Sequence, residues 1–309
     1  MMNHAFLKSL LTAYLLLLTP LVCAQTLKET IATTTGLITF LTSQESVSAG
    51  IYSTEKTDPA SPQSNFSTFK IPYRHLYDKK DDSSQWSMLI GYGRFDMTQE
   101  FNLDQSKWEA NSLSAGIGYS KDLTPQITWF SRVELAYTQI NHRYHADASS
   151  LPSTTTDTLN FDWQTQTLSI IPSIGMKVPV LPKHTQWLYQ PRITYLHTTS
   201  ILERNDLEKV SANSVLVVNR LNFGEPWRVN FHAWGVALNP QLSRTDAFGN
   251  VEDGLSTRYW YEANLNFRLK SMEHKWWDNF TYGFSYLHGE HFRGGQLSIS
   301  FNLERFGIH

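Results

Sequence analysis

The clearest signal in the chain is alternation. From Tyr259 the odd positions read Tyr259, Tyr261, Ala263, Leu265, Phe267 and Leu269, while the even positions read Trp260, Glu262, Asn264, Asn266, Arg268 and Lys270. An apolar face and a mostly polar face, repeating every two residues, predict a β-strand whose sides meet different environments. The pattern recurs in Leu113, Ala115, Ile117 and Tyr119, and in Ile127, Trp129, Val133, Leu135 and Tyr137 opposite Thr128, Arg132, Glu134 and Thr138. Trp187, Tyr189, Pro191, Ile193 and Tyr195 form another such face, as do Leu297, Ile299, Phe301 and Leu303. These stretches exceed the ~5–6 residues usual for strands of soluble β proteins. Trp86, Trp108, Trp187, Trp227, Trp276 and Trp277 also gather near their ends. Length, alternation and an aromatic girdle predict an all-β fold, a transmembrane antiparallel β-barrel of about twelve strands.

The strands fall near 46–54, 64–77, 85–97, 109–121, 126–141, 158–180, 186–199, 212–223, 227–239, 255–270, 276–288 and 293–304. Asp122–Pro125, Leu181–Thr185, Gly224–Pro226 and Ser271–Lys275 read as short turns. Glu55–Gln63, Thr98–Trp108, His142–Asp157, Ser200–Ser211 and Pro240–Gly254 read as longer polar loops, placed on the cell exterior. Strand six is long and interrupted by Pro172 and Pro179, and the consecutive apolar run Val215–Val218 leaves the facing of strand eight open. Before strand one, Leu27, Ile31, Ile38 and Leu41 recur at helical spacing, though Thr33-Thr34-Thr35-Gly36 is a poor helical run. A short helix or partial plug in or under the barrel is expected there, with an irregular lead-in as the alternative.

The far N-terminus has another character. Lys8, the apolar run Leu10–Leu18 and the small-residue pattern Val22-Cys23-Ala24 predict a secretory signal cleaved before Gln25. The expected layout is a signal peptide over 1–24, an N-terminal lumen or periplasmic segment over 25–45, the barrel over 46–304 and a tail over 305–309. Cleavage removes the one cysteine and with it any disulfide or thiol chemistry. Lys+Arg of 26 against Asp+Glu of 28 give no basic field for nucleic acid. With 17% charged and 13% aromatic residues, the chain is too apolar for disorder.

Candidate chemistry lies on the polar faces. Lys70, Arg74, Arg132, Glu134, Arg192, Arg228, Glu262, Arg268 and Lys270 are expected to line the lumen, because Arg or Lys facing lipid costs ~2–4 kcal/mol at the bilayer midplane. They predict either a water-filled path of mixed charge or opposite charges that pair and seal a small lumen. No enzyme constellation stands out: after residue 24 there is no His-x-Ser and no G-x-S-x-G, and His197-Thr198-Thr199 is a weak stand-in. His142 and His145, and His288 and His291, are read as solvated loop histidines rather than metal ligands. No catalytic residue, metal or cofactor is expected.

Gly295 to Leu303 resembles the terminal strand signal by which outer-membrane barrels meet the barrel-assembly machinery, although the usual terminal aromatic is absent. The chain as a whole resembles the solitary outer-membrane autotransporter-type β-barrels of Gram-negative bacteria. The likeness rests on the strand count, the short segment before strand one, Phe69-Lys70-Ile71-Pro72-Tyr73-Arg74-His75, Gly91-Tyr92-Gly93 and Gly116-Ile117-Gly118. It implies residence in the outer membrane. Autotransporter barrels thread an N-terminal helix through the pore to carry a passenger; only residues 25–45 precede strand one here, so a secretion role is not expected to transfer. The expected function is a narrow or plugged pore for small solutes or ions. The alternatives are a sealed structural or surface-interaction barrel using its extracellular loops and, third, a barrel-embedded lipase or protease. Expected partners are outer-membrane lipid and lipopolysaccharide, with periplasmic chaperones and the assembly machinery during biogenesis; the sequence names no extracellular ligand.

Overall fold

The alternating segments form strands β1 (Val47–Thr54), β2 (Gln63–Asp78), β3 (Ser84–Phe101), β4 (Asp104–Thr124), β5 (Ile127–His145), β6 (Trp163–Leu181), β7 (His184–Leu202), β8 (Ser211–Asn222), β9 (Trp227–Phe231), β10 (Trp234–Gly249), β11 (Tyr259–Ser271), β12 (Phe280–Gly289) and β13 (Phe292–Phe301). Helix α1 covers residues 32–40, and α2 (Asn250–Leu255) joins β10 to β11. The computed structural model describes residues 32–40, 47–55, 63–78, 83–101, 104–145, 162–181, 184–202, 209–225, 227–231, 234–271 and 280–301. The expected signal segment and C-terminal tail therefore lie outside the described residues.

All strand pairs among the described residues are antiparallel, and two of them close the sheet: β1 with β13 and β10 with β11. The wall has 12 strand positions because β8 and β9 share one. Asn222 pairs with Gln241 on β10, and Trp227 pairs with Leu238 farther along the same strand. Between them the chain bulges at Gly224, whose φ of 67° lies in the left-handed region. This corrects the hairpin expected at Gly224–Pro226. The reversal comes between Phe231 and Trp234, and Pro240–Gly249, expected as loop, is strand.

Outside, exposed apolar side chains form a belt: Ile51 on β1, Phe69 and Ile71 on β2, Leu113 and Ile117 on β4, Ile193 and Tyr195 on β7, Phe284 and Tyr286 on β12. β4 is 21 residues long, roughly twice the ~9–11 needed to cross a bilayer. Its outer face changes from Tyr119, Ile117 and Leu113 to Asn111, Glu109 and Lys107. The polar part stands above the belt, where the outward pairs Arg94–Asp96 at 2.9 Å and Lys107–Glu109 at 2.7 Å meet water rather than acyl chains. β3 and β4 run on to Phe101 and from Asp104, so most of the expected 98–108 loop is strand. Trp108 is not a girdle residue. It faces inward and is 2% exposed. Strand eight also resolves: Ala212, Ser214, Leu216 and Val218 point inward, and outward Asn219 accepts a hydrogen bond from the Tyr189 hydroxyl at 2.5 Å.

Candidate functional site in the lumen

The barrel has two unlike ends. One carries α2 and the tip between β12 and β13, and is called here the loop end; the other carries the Pro125–Gln126 turn. Helix α1 lies inside the barrel toward the loop end. Thr39 Oγ1 lies 3.4 Å from Ser169 Oγ on β6 and 3.2 Å from Thr198 Oγ1 on β7, and it donates back to the Thr35 carbonyl at 3.0 Å. Hydroxyl-bearing residues suit a helix lodged against a polar wall, since a buried polar group left unpaired is costly. A Cβ on Gly36 would stand 3.1 Å from Asn250 Cβ, so glycine lets α1 sit close against α2.

Aromatic rings fill the rest of the loop end. Tyr52 stacks on Phe66 at 5.1 Å and on Phe292 at 5.7 Å; Phe292 meets Trp260 at 6.0 Å, and Trp260 meets Phe40 of α1 at 5.5 Å. A second group joins Trp108, His142 and Trp163, with centroids 4.4 Å apart for Trp108–His142 and 5.6 Å for His142–Trp163. His142 is therefore not the solvated loop histidine expected: it lies on β5, buried, with Nε2 2.7 Å from Ser106 Oγ. Alternation misplaced it because β5 continues four residues past the predicted end near 141. The Ser–His contact has the spacing of a nucleophile and its base, but the pair is buried among the indoles.

Below α1 the lumen opens into two chambers. The upper, about 330 Å³, has Phe40 among its lining residues together with Leu216, Trp260, Glu262, Asn264 and Gln296. The lower, about 240 Å³, lies toward the turn end and is lined by Arg74, Lys177, Gln85, Gln190, Ser173 and Phe130 among others. Arg132, Arg192 and Arg220 line both and so stand where the chambers meet.

The expected lumen residues divide accordingly. Arg74 lines the lower chamber, Arg132 and Arg192 both chambers, and Glu262 the upper one. Glu134 is buried beside Arg132, with a closest approach of 3.8 Å. Lys70 points inward at 1% exposure and feels the carboxylates of Glu262 and Glu134. Arg268 pairs at 2.6 Å with Glu225 in the β8–β9 bulge, which ties that bulge to β11. Arg228 and Lys270 belong to β9 and β11, but their side chains lie outside the described residues. Sequence reasoning missed Arg220 and Lys177. Arg220 follows the apolar run whose facing was open, and Lys177 sits between Pro172 and Pro179; counting parity from Leu216 or from Ser173 would have placed both inward. Among the described residues no three His, Cys, Asp or Glu side chains converge as a metal site.

Known proteins supply the remaining comparison. The translocator domain of the autotransporter NalP from Neisseria meningitidis is similar in fold, with a TM-score of 0.53 and 10% identity over 82% of this chain and 86% of that one. The transport unit of AIDA-I from Escherichia coli gives a TM-score of 0.53 and 13% identity over 89% and 97%. The β domain of the Bordetella autotransporter BrkA gives 0.51 and 12% over 82% and 97%. Identities this low carry the fold alone. No curated protein matches the chain. The family model of the solitary outer membrane autotransporter β-barrel domain matches residues 32–303, and the chain therefore belongs to that family of outer-membrane barrels.

Proposed function

We propose that this barrel is a narrow pore for small solutes or ions, with α1 as its plug. The observation that carries the reading is the pair of chambers below α1, joined at Arg132, Arg192 and Arg220 and lined mainly by polar and charged side chains. Eight-stranded barrels are just filled by side chains and those of sixteen or more leave a channel; in this wall of twelve positions the aromatic filling is concentrated at the loop end. Opening requires α1 to leave its site. Thr39 meets the wall at Ser169 and Thr198, Leu37 and Ile38 are buried in the core cluster, and the contact with α2 is glycine-mediated, so these are the contacts that opening must break.

The test is planar-bilayer conductance of the refolded chain beside a version lacking residues 25–45, each first shown to be folded by a heat-modifiable gel shift. Discrete conductance that grows on deletion supports the plugged pore. Silence from both folded proteins refutes it and leaves the second reading, a sealed surface-interaction barrel, which the aromatic packing at the loop end favours. Export by residues 1–24 is part of the proposal. N-terminal sequencing of the outer-membrane protein should begin at Gln25.

A further inference from the structure

The lower chamber has a one-sided charge. Arg74, Arg132, Lys177, Arg192 and Arg220 line it, and among the described residues that line it there is no carboxylate. Among the described acids, Glu134 is buried beside Arg132, Glu262 lines the upper chamber that shares Arg132, Arg192 and Arg220, and Glu225 sits with Arg268, so the basic groups outnumber the carboxylates around this space. Gathering five cations around one small space costs repulsion that neighbouring water only partly screens. Four of the five are arginines, the side chain whose planar fork suits carboxylate and phosphate oxygens. Gln85, Gln190, Ser87, Ser120, Ser131 and Ser173 add neutral hydrogen-bonding groups around them. Arg74 and Lys177 are exposed, so the chamber is open to solvent at the turn end.

We infer that the lower chamber is a binding site for small, soluble, multiply charged oxyanions, carboxylates or phosphate esters, and that it makes the lumen anion-selective. The selectivity rests on the pore reading; the binding does not. A lipid headgroup is not the intended ligand, because the site lies inside the wall, away from the outer apolar belt.

The experiment uses the full chain from Gln25, refolded in detergent, with citrate and inorganic pyrophosphate as calorimetric probes and putrescine as the cationic counterpart. Both anions should bind, more weakly as salt is raised, and putrescine should not. Arg192→Gln and Arg220→Gln should each weaken anion binding roughly tenfold or more, the loss expected for a charge-assisted hydrogen bond. Arg220→Lys should keep the charge but lose the fork and fall between. Arg94→Gln, on the outer face, should bind like the parent. Each variant is first checked for the folded, heat-modifiable band, and the lysine variant keeps the test informative if a glutamine variant misfolds. In bilayers the parent should prefer chloride over potassium, and the double glutamine variant should lose that preference. Absent anion binding, or binding indifferent to Arg192 and Arg220, overturns the site. Arginine-dependent binding in a barrel that never conducts sustains the site while refuting the pore; conductance without anion preference or binding does the reverse.

Discussion

Adding one methyl group at Gly294 tests whether the loop end is packed as described. Tyr52 on β1 lies directly opposite Gly294 on β13 and is 1% exposed. A Cβ on Gly294 would collide with Tyr52 Cδ1 and lie 2.9 Å from Cγ and 2.7 Å from the Ile51 carbonyl oxygen. The ring has nowhere to retreat: Phe66 and Phe292 stack on it, and its hydroxyl donates to Gln296 Oε1 at 2.8 Å. Gly294 is not among the residues with positive φ, so alanine meets no backbone penalty and the effect is steric. Overpacking of this kind costs ~1–3 kcal/mol. With a urea slope of ~1–3 kcal/mol per M, that shifts the unfolding midpoint by about 1 M. Tyr52→Ala removes the ring and should itself cost ~3–5 kcal/mol, and within that background Gly294→Ala should cost less, because only the Ile51 carbonyl contact remains. The coupling in the double-mutant cycle should therefore be about 1 kcal/mol. The readout is urea unfolding of the refolded barrel followed by tryptophan fluorescence. A neutral Gly294→Ala in the parent, or strictly additive costs in the cycle, would refute the packing argument.

Three further substitutions probe other parts of the interior. His142→Ala removes both the Ser106 hydrogen bond and the ring between Trp108 and Trp163, and should cost ~2–4 kcal/mol in the same urea assay, against ~1 kcal/mol for Ser106→Ala. Gly224→Ala forces a side chain into the left-handed region and within 2.9 Å of the Gln186 carbonyl oxygen, so it should lose ~1–3 kcal/mol and shift the heat-modification temperature down. Thr39→Val removes the hydroxyl that meets Ser169 and Thr198, weakening α1 docking by ~1–2 kcal/mol. Single-channel records should then show an open probability raised ~5–30-fold at unchanged unit conductance.

The wall was legible in the sequence because lipid and lumen impose opposite demands on successive residues. On β4, β7 and β11 the apolar parity is the outer one along the belt, and reading every second residue suffices. Legibility failed where the turn vocabulary appeared without a turn. Gly224, Pro226 and Pro240 together announce a reversal and a loop, yet Asn222 and Trp227 pair with the same strand. Two interactions across the bulge account for this: the Phe223 amide donates to the Pro240 carbonyl at 3.1 Å, and the Gly224 amide donates to Asn222 Oδ1 at 2.8 Å. Backbone groups that a hairpin would satisfy find partners in the continuing ladder instead, so the local signals mark a bulge. Parity also failed above the belt, where both faces turn polar and nothing in the pattern marks where a strand ends; Trp108 and His142 were misplaced for that reason.

Parity assigns a side chain to the lumen but not to a height within it, and in this barrel height separates the aromatic packing from the basic chamber. Along β2 the inward residues run from Phe66 through Lys70 to Arg74, from loop end to turn end; along β11 they run from Trp260 through Glu262 to Arg268. On β5 and β7 the chain travels the other way, so Arg132 precedes His142 and Arg192 precedes Leu196. Because neighbouring strands are antiparallel, a basic ring at one end of the lumen is written alternately late and early in successive segments. Arg74, Arg132, Arg192 and Arg220 therefore form no motif and no charged run. They converge only once every register is fixed, and the same registers gather Tyr52, Phe66, Trp260 and Phe292 at the opposite end. It follows that equivalent-looking inward substitutions should differ in kind with height: at the loop end they should act on stability, and at the turn end on the proposed anion site.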